Sequence, residues 1–162
     1  MIKEGSQLWQ FLSPQEQMLY NDGVFLLEDS KKDINPEPTD FSYLVFPFAK
    51  LYEGFLKDYF LTLGIISRRD YESNHFRIGK VLSPNLIRRL GRRSAYGQIQ
   101  ARFGIDLANK LWIAWKEGRN QVFHYFPQSY RTLTHTQAEQ AIALILQTME
   151  LAVKETNVRK ER

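Results

Sequence analysis

The chain has 162 residues, with 22 Lys and Arg against 18 Asp and Glu and no cysteine. That length suits one domain with an ordinary hydrophobic core, and the missing thiols exclude disulfide scaffolds, Cys-ligated zinc, iron–sulfur clusters and cysteine nucleophiles. The first ten residues hold no signal-peptide core, and the longest uncharged stretch of the most apolar region, Phe41 to Ala49, is nine residues, too short to span a bilayer, so a cytoplasmic protein with no membrane contact is expected.

Ser13-Pro14-Gln15-Glu16 combines a capping box with proline at the first helical position. It predicts a helix from about Pro14 to Lys32, with Gly23 as its weak point. Residues 33 to 40, DINPEPTD, read as a loop. A long helix is expected from about Asp40 to Leu63, because Leu44, Phe48, Leu51, Phe55 and Tyr59 recur at three- and four-residue steps. Pro47 either kinks it or marks its start, and Gly64 is its stop. Residues 67 to 82 read as irregular, with a short extended piece from Phe76 to Leu82. Ser83-Pro84 opens a helix to Leu90. Asp106 caps another that carries Leu107, Leu111, Ile113, Ala114 and Trp115. Gly118 interrupts or ends it, and Asn120 to Phe126 either continue it or begin a new turn. Thr136-Gln137-Ala138-Glu139 is a second capping box, opening a helix with Ala138, Ile142, Ile145, Met149 and Ala152 on one face. No repeat or dividing linker is present. The expected architecture is a single all-α bundle of about five helices over residues 1–158, followed by a frayed charged tail over 159–162.

The positive charge is local. Residues 68 to 102 carry Arg68, Arg69, Arg77, Lys80, Arg88, Arg89, Arg92, Arg93 and Arg102 against Asp70 and Glu72, whereas the rest of the chain is net acidic. Guanidinium forks match phosphate oxygens, so the cluster is either a grip for a polyanion such as nucleic acid or a solvated basic face. Arg88, Arg89, Arg92 and Arg93 are the candidate backbone contacts, which set affinity and register rather than base choice.

Few chemistries are open to this sequence. It has no glycine-rich phosphate loop, no nucleophile elbow and no H-E-x-x-H. His75, His124 and His135 do not pair at metal-ligand spacing, so no metal or other cofactor is expected. His75 and His135 read as solvated loop residues, and Trp112 and Trp115 as core or interface. The informative segment is Gly118-Arg119-Asn120-Gln121-Val122-Phe123-His124. On an uninterrupted helix, five steps would leave Arg119 and His124 about 140° apart. They converge only at a helix start or turn, or where two copies meet. A histidine can move protons near neutral pH, and an arginine can stabilise charge on a phosphate oxygen; together they suit metal-free RNA cleavage. The plainer alternative is a half-buried histidine beside a surface arginine.

Arg119-Asn120-x3-His124 resembles the R-N-x3-H form of the motif of HEPN domains. These are all-α bundles, many of them metal-independent endoribonucleases that act as dimers with both motifs at one cleft. Leu51-Tyr52-Glu53-Gly54-Phe55-Leu56-Lys57 is similar to the early helix of the HEPN toxin domain of RNase LS toxins, where a glutamate joins the arginine and histidine. The resemblance covers roughly residues 40 to 128, with a final helix that fits by pattern only. It implies His124 as general acid or base, Arg119 as phosphate clamp, Asn120 as orienting residue and Glu53 as positioning or proton-transfer residue. Glu53 could equally form a plain ion pair with Arg119 or Lys57. The resemblance further implies a homodimer, a single-stranded RNA substrate such as mRNA, and a cognate antitoxin protein. Two departures stand out. The RNase LS toxins carry further N-terminal domains, for which this chain has no room. A tyrosine two residues after the histidine, which is modified in some HEPN toxins, is Phe126 here, with Tyr125 directly after the histidine. The alternative is a catalytically silent HEPN-like module that binds RNA or protein.

Overall fold

The computed structural model describes residues 1–32, 38–124, 127 and 132–159. Among these the chain is all-helical, with no strand. Nine α-helices run in order: α1 (Gln7–Phe11), α2 (Pro14–Asp29), α3 (Ser42–Thr62), α4 (Arg68–Glu72), α5 (Ile78–Val81), α6 (Ile87–Leu90), α7 (Ala95–Phe103), α8 (Ile105–Trp115) and α9 (His135–Thr156). Five of them, α2, α3, α7, α8 and α9, have nine or more residues and form the body of the bundle.

Helix α3 is the axis. The stripe of Leu44, Phe48, Leu51, Phe55 and Tyr59 is fully buried, and so is a second stripe of Val45, Tyr52, Leu56 and Phe60. Two adjacent stripes cover more than half the helix circumference, so α3 is wrapped by α2 and α9 and touched by α5. The rings of Tyr52, Phe55 and Tyr59 stack in series along it, at 6.3 and 5.4 Å between centroids. Tyr52 donates its hydroxyl to the Leu111 carbonyl of α8 at 2.9 Å, which joins the two helices. Pro47 lies inside α3 and does not set its start. The start is set by Asp40, whose Oδ1 accepts from the Ser42 N–H and hydroxyl and from the Leu133 N–H. Burial pushes the Asp40 carboxyl up, but these three bonds outweigh it and hold it below its ordinary value.

Several expectations need correction. Residues 67 to 82 are irregular only in part: α4 is opened by a Ser67–Asp70 capping box, residues 73–77 have no regular structure, and Ile78–Val81 form the single turn of α5 rather than an extended piece. Helices of four or five residues have too few turns to show a period. Helix α7, capped by Ser94, has no counterpart among the predicted elements; it buries only Ala95, Tyr96 and Ile99. Asp106 lies in the first turn of α8, whose cap position is Gly104. The second capping box is Thr134 with Gln137, so α9 opens at His135. His135 is therefore not a solvated loop residue. Its Nε2 lies 2.9 Å from the Ser30 hydroxyl, and its ring meets Phe41 edge-on. The tail residues 160–162 lie outside the described residues.

Burial of the Tyr59 hydroxyl pushes it up to about 12 from an ordinary value of 10.0, and Tyr52 is raised in the same direction by the same cause. A raised value in the folded state means that the unfolded chain releases the proton first. The stabilisation is complete below pH 10 and is lost as pH rises toward 12. Two pH units correspond to about 2–3 kcal/mol for Tyr59. Denaturant midpoints at pH 9 and pH 11.5 should therefore differ less in Tyr59→Phe than in the wild type; equal losses in both would remove Tyr59 from the alkaline transition.

Candidate active site

The one open seam of α3 carries Tyr43, Phe46 and Lys50, all exposed, followed by the half-buried Glu53. Their spacing of three and four residues sets them in a line. Opposite this seam, α8 does not end in a normal cap. Residues 116–120 widen into a π turn, closed by the Gln121 N–H donating to the Lys116 carbonyl at 2.9 Å. This resolves the choice at Gly118, where the helix neither continues as α nor stops. Gly118 is buried against α9, and a Cβ there would lie 2.7 Å from Ile145 Cγ1. Only glycine lets the turn sit this close. Single π turns are rare and concentrate at functional sites.

The π turn delivers Arg119 to α3. Its Nη2 donates to Glu53 Oε2 at 3.1 Å, across 66 residues of sequence. The guanidinium also lies 4.9 Å above the ring of Trp115, which is itself buried. A carboxylate on one side and an indole face beneath fix the orientation of the fork. The cation–π contact is worth about 0.5–2 kcal/mol, rising as water is excluded. Both partners of the ion pair keep about a third of their surface exposed, 31% for Arg119 and 35% for Glu53, so an incoming anion can reach them. Of the two ion pairs open to Glu53, the structure forms the one with Arg119 rather than that with Lys57.

Asn120 closes the π turn and is half-buried. The Phe123 N–H donates to the Arg119 carbonyl at 3.3 Å, and the Phe123 ring packs edge-on against Phe46 at 5.7 Å. His124 follows directly and is exposed. It thus stands one residue beyond a turn anchored on Arg119, at the rim of the α3 seam. Tyr125 and Phe126 lie outside the described residues. Among the described residues, no group of three or more acidic or histidine side chains could hold a metal ion, and no helix is long and apolar enough to cross a membrane.

Arg88 and Arg89 lie on α6 and Arg92 and Arg93 just beyond it, all exposed. The structure does not keep these four as one unit. Arg92 and Arg93 line a groove of about 310 Å³ together with Arg77 and Lys80, and Arg88 and Arg89 are not part of its lining. Two features of the site were not singled out from sequence. Trp115 as the platform for Arg119 is hinted at only by its i,i+4 spacing, and Gly118 as the point of contact with α9 looks in sequence like any helix breaker.

No protein-family model matches the chain, and no curated protein or solved structure matches it either.

Proposed function

We propose that the protein is a metal-independent endoribonuclease of the HEPN toxin type acting on single-stranded RNA. The observation that carries this is the Glu53–Arg119 pair stacked on Trp115, one turn from the exposed His124. In the proposed reaction the 2′-oxygen attacks the adjacent phosphorus and the bond from phosphorus to the 5′-oxygen breaks. The 2′-hydroxyl proton goes to a base, and a proton is given to the departing 5′-oxygen. The products are a 2′,3′-cyclic phosphate and a 5′-hydroxyl. Arg119 holds a non-bridging oxygen and stabilises the charge that grows on it. Glu53 fixes Arg119 from the side away from the phosphate. His124 serves one proton transfer. One histidine per R-N-x3-H motif favours a homodimer in which a second copy's motif faces the same cleft and serves the other. Restraint of such an enzyme in its host calls for a cognate antitoxin protein, and its place of work is the cytoplasm.

The test is incubation with end-labelled single-stranded RNA in excess EDTA, with product ends assigned by their resistance to phosphatase until acid opens the cyclic phosphate. Cyclic ends from purified protein, together with a dimer mass by light scattering, are the expected result. Bound but intact RNA, with a folded protein, would instead favour the non-catalytic binding module.

A further inference from the structure

The second basic feature of the molecule lies around α5, whose Gly79 packs against Trp115. Between the α4–α5 connection, α5 and residues 90–93 runs the groove of about 310 Å³, which holds four cations: Arg77, Lys80, Arg92 and Arg93. Its carboxylate, Asp70, is already engaged by the Ser67 N–H and hydroxyl as the cap of α4. Among the described residues none of the four cations has an ion-pair partner. Arg77 is nevertheless fixed, because its Nη1 donates to the Asn74 carbonyl at 2.7 Å and to the Phe76 carbonyl at 3.3 Å. The lining is not wholly polar. Half-buried Phe76 and the buried Ile65 and Ile66 give it an apolar side. Cations beside an accessible aromatic ring are the features that bind single-stranded nucleic acid, with phosphates on the charges and a base on the ring.

The helix that carries Lys80 and Val81 of the groove also meets the candidate active site. Lys80 follows Gly79, whose backbone is so close to the indole that a Cβ would lie 2.6 Å from Trp115 Nε1. Arg119 stacks on that same ring. Trp115 therefore packs α5, which carries Lys80 and Val81 of the groove, next to the turn that holds Arg119.

We propose that this groove is an exosite for the backbone of single-stranded RNA, holding nucleotides that flank the bond presented to Arg119. The identity of the ligand as RNA substrate rests on the ribonuclease proposal. The groove's occupancy can be tested apart from it. A fluorescent oligouridylate of about 12 nucleotides with 2′-O-methyl groups cannot be cleaved by 2′-oxygen attack, so its anisotropy reports binding alone. Arg77→Ala/Lys80→Ala is expected to weaken binding at least tenfold and to reduce the slope of log affinity against log salt by about 1.4, which is two phosphates' worth for a single strand. Lys3→Ala/Lys31→Ala, two exposed cations outside the groove, should change affinity less than twofold. Unchanged affinity and slope in the first variant would overturn the exosite, as would a polyglutamate peptide that displaces the oligonucleotide at equal charge concentration. Groove-dependent binding without cleavage of ordinary RNA would sink the nuclease and leave the exosite standing. Cleavage with an unchanged KM in the groove variant would do the reverse.

Discussion

Replacement of His124 by Ala is expected to lower RNA cleavage by about 10²–10⁴-fold, the usual contribution of a positioned acid or base, while the melting temperature stays within about 1–2 °C of the wild type. The second half follows from the exposure of His124, because truncating an exposed side chain usually costs only about 0.5 kcal/mol. Arg119→Ala should lower the rate by about 10²–10³-fold, the range seen when one preorganised donor to a developing oxyanion is removed. Arg119→Lys should recover little of this. A lysine keeps the charge, but it cannot present a planar fork to Glu53 and an indole face at once. Glu53→Gln is the informative intermediate. If Glu53 only positions Arg119, kcat should fall by about tenfold with the pH profile unchanged; if it carries a proton, the acidic limb of the profile should move. Equal rates for wild type, His124→Ala and Arg119→Ala would remove the reaction from this site altogether.

Trp115→Ala is expected to be the most destructive substitution near the site, and by a different route. The indole is 4% exposed, supports Arg119 on its face and meets the backbone of Gly79 at its edge. Deleting it leaves a cavity between α8 and α5, at a cost of about 3–5 kcal/mol. For a chain of this size that lowers the melting temperature by roughly 10 °C or more. Trp115→Phe separates the two roles. It keeps an aromatic face under Arg119 while giving up the contact with Gly79, so it should lose stability more than kcat. Calorimetry on the two variants, beside their cleavage rates at a temperature where both are folded, checks this. A loss below 1 kcal/mol for Trp115→Ala would mean that the site relaxes around the gap.

The parts of the fold that were legible in sequence are those in which one period runs long enough to be seen. Helix α3 carries its apolar stripe over about four turns, and its observed ends, Ser42 and Thr62, fall within two residues of the expected ones. The start of α9 was misplaced because two overlapping patterns compete. Thr134 and Thr136 are each followed three residues later by Gln or Glu, and the choice is made by Asp40 and Phe41, which pair with Leu133 from the far side of the bundle. No local rule contains that contact. The candidate site was legible as a list of residue types but not as an arrangement. Glu53 and Arg119 are joined only by tertiary packing, and the π turn that joins them has no periodic signature of its own. The Arg cluster was legible as charge. Its division into a groove pair and an outlying pair follows from the turn after α6, which carries Arg92 and Arg93 into the groove and leaves Arg88 and Arg89 on the helix.

The π turn can also be regarded as a matter of counting. It holds one residue more than the α turn it replaces, so residues 116–120 act as a single-residue insertion accommodated inside a helix. Deleting one residue there would let α8 continue as a regular helix, with better backbone geometry. It would also rotate everything beyond by about 100° and carry the guanidinium away from Glu53. The shortened chain would gain helical regularity and lose the pairing across to α3. By this measure, the irregular turn is the register mark that sets which side chain of the 116–124 segment faces the central helix.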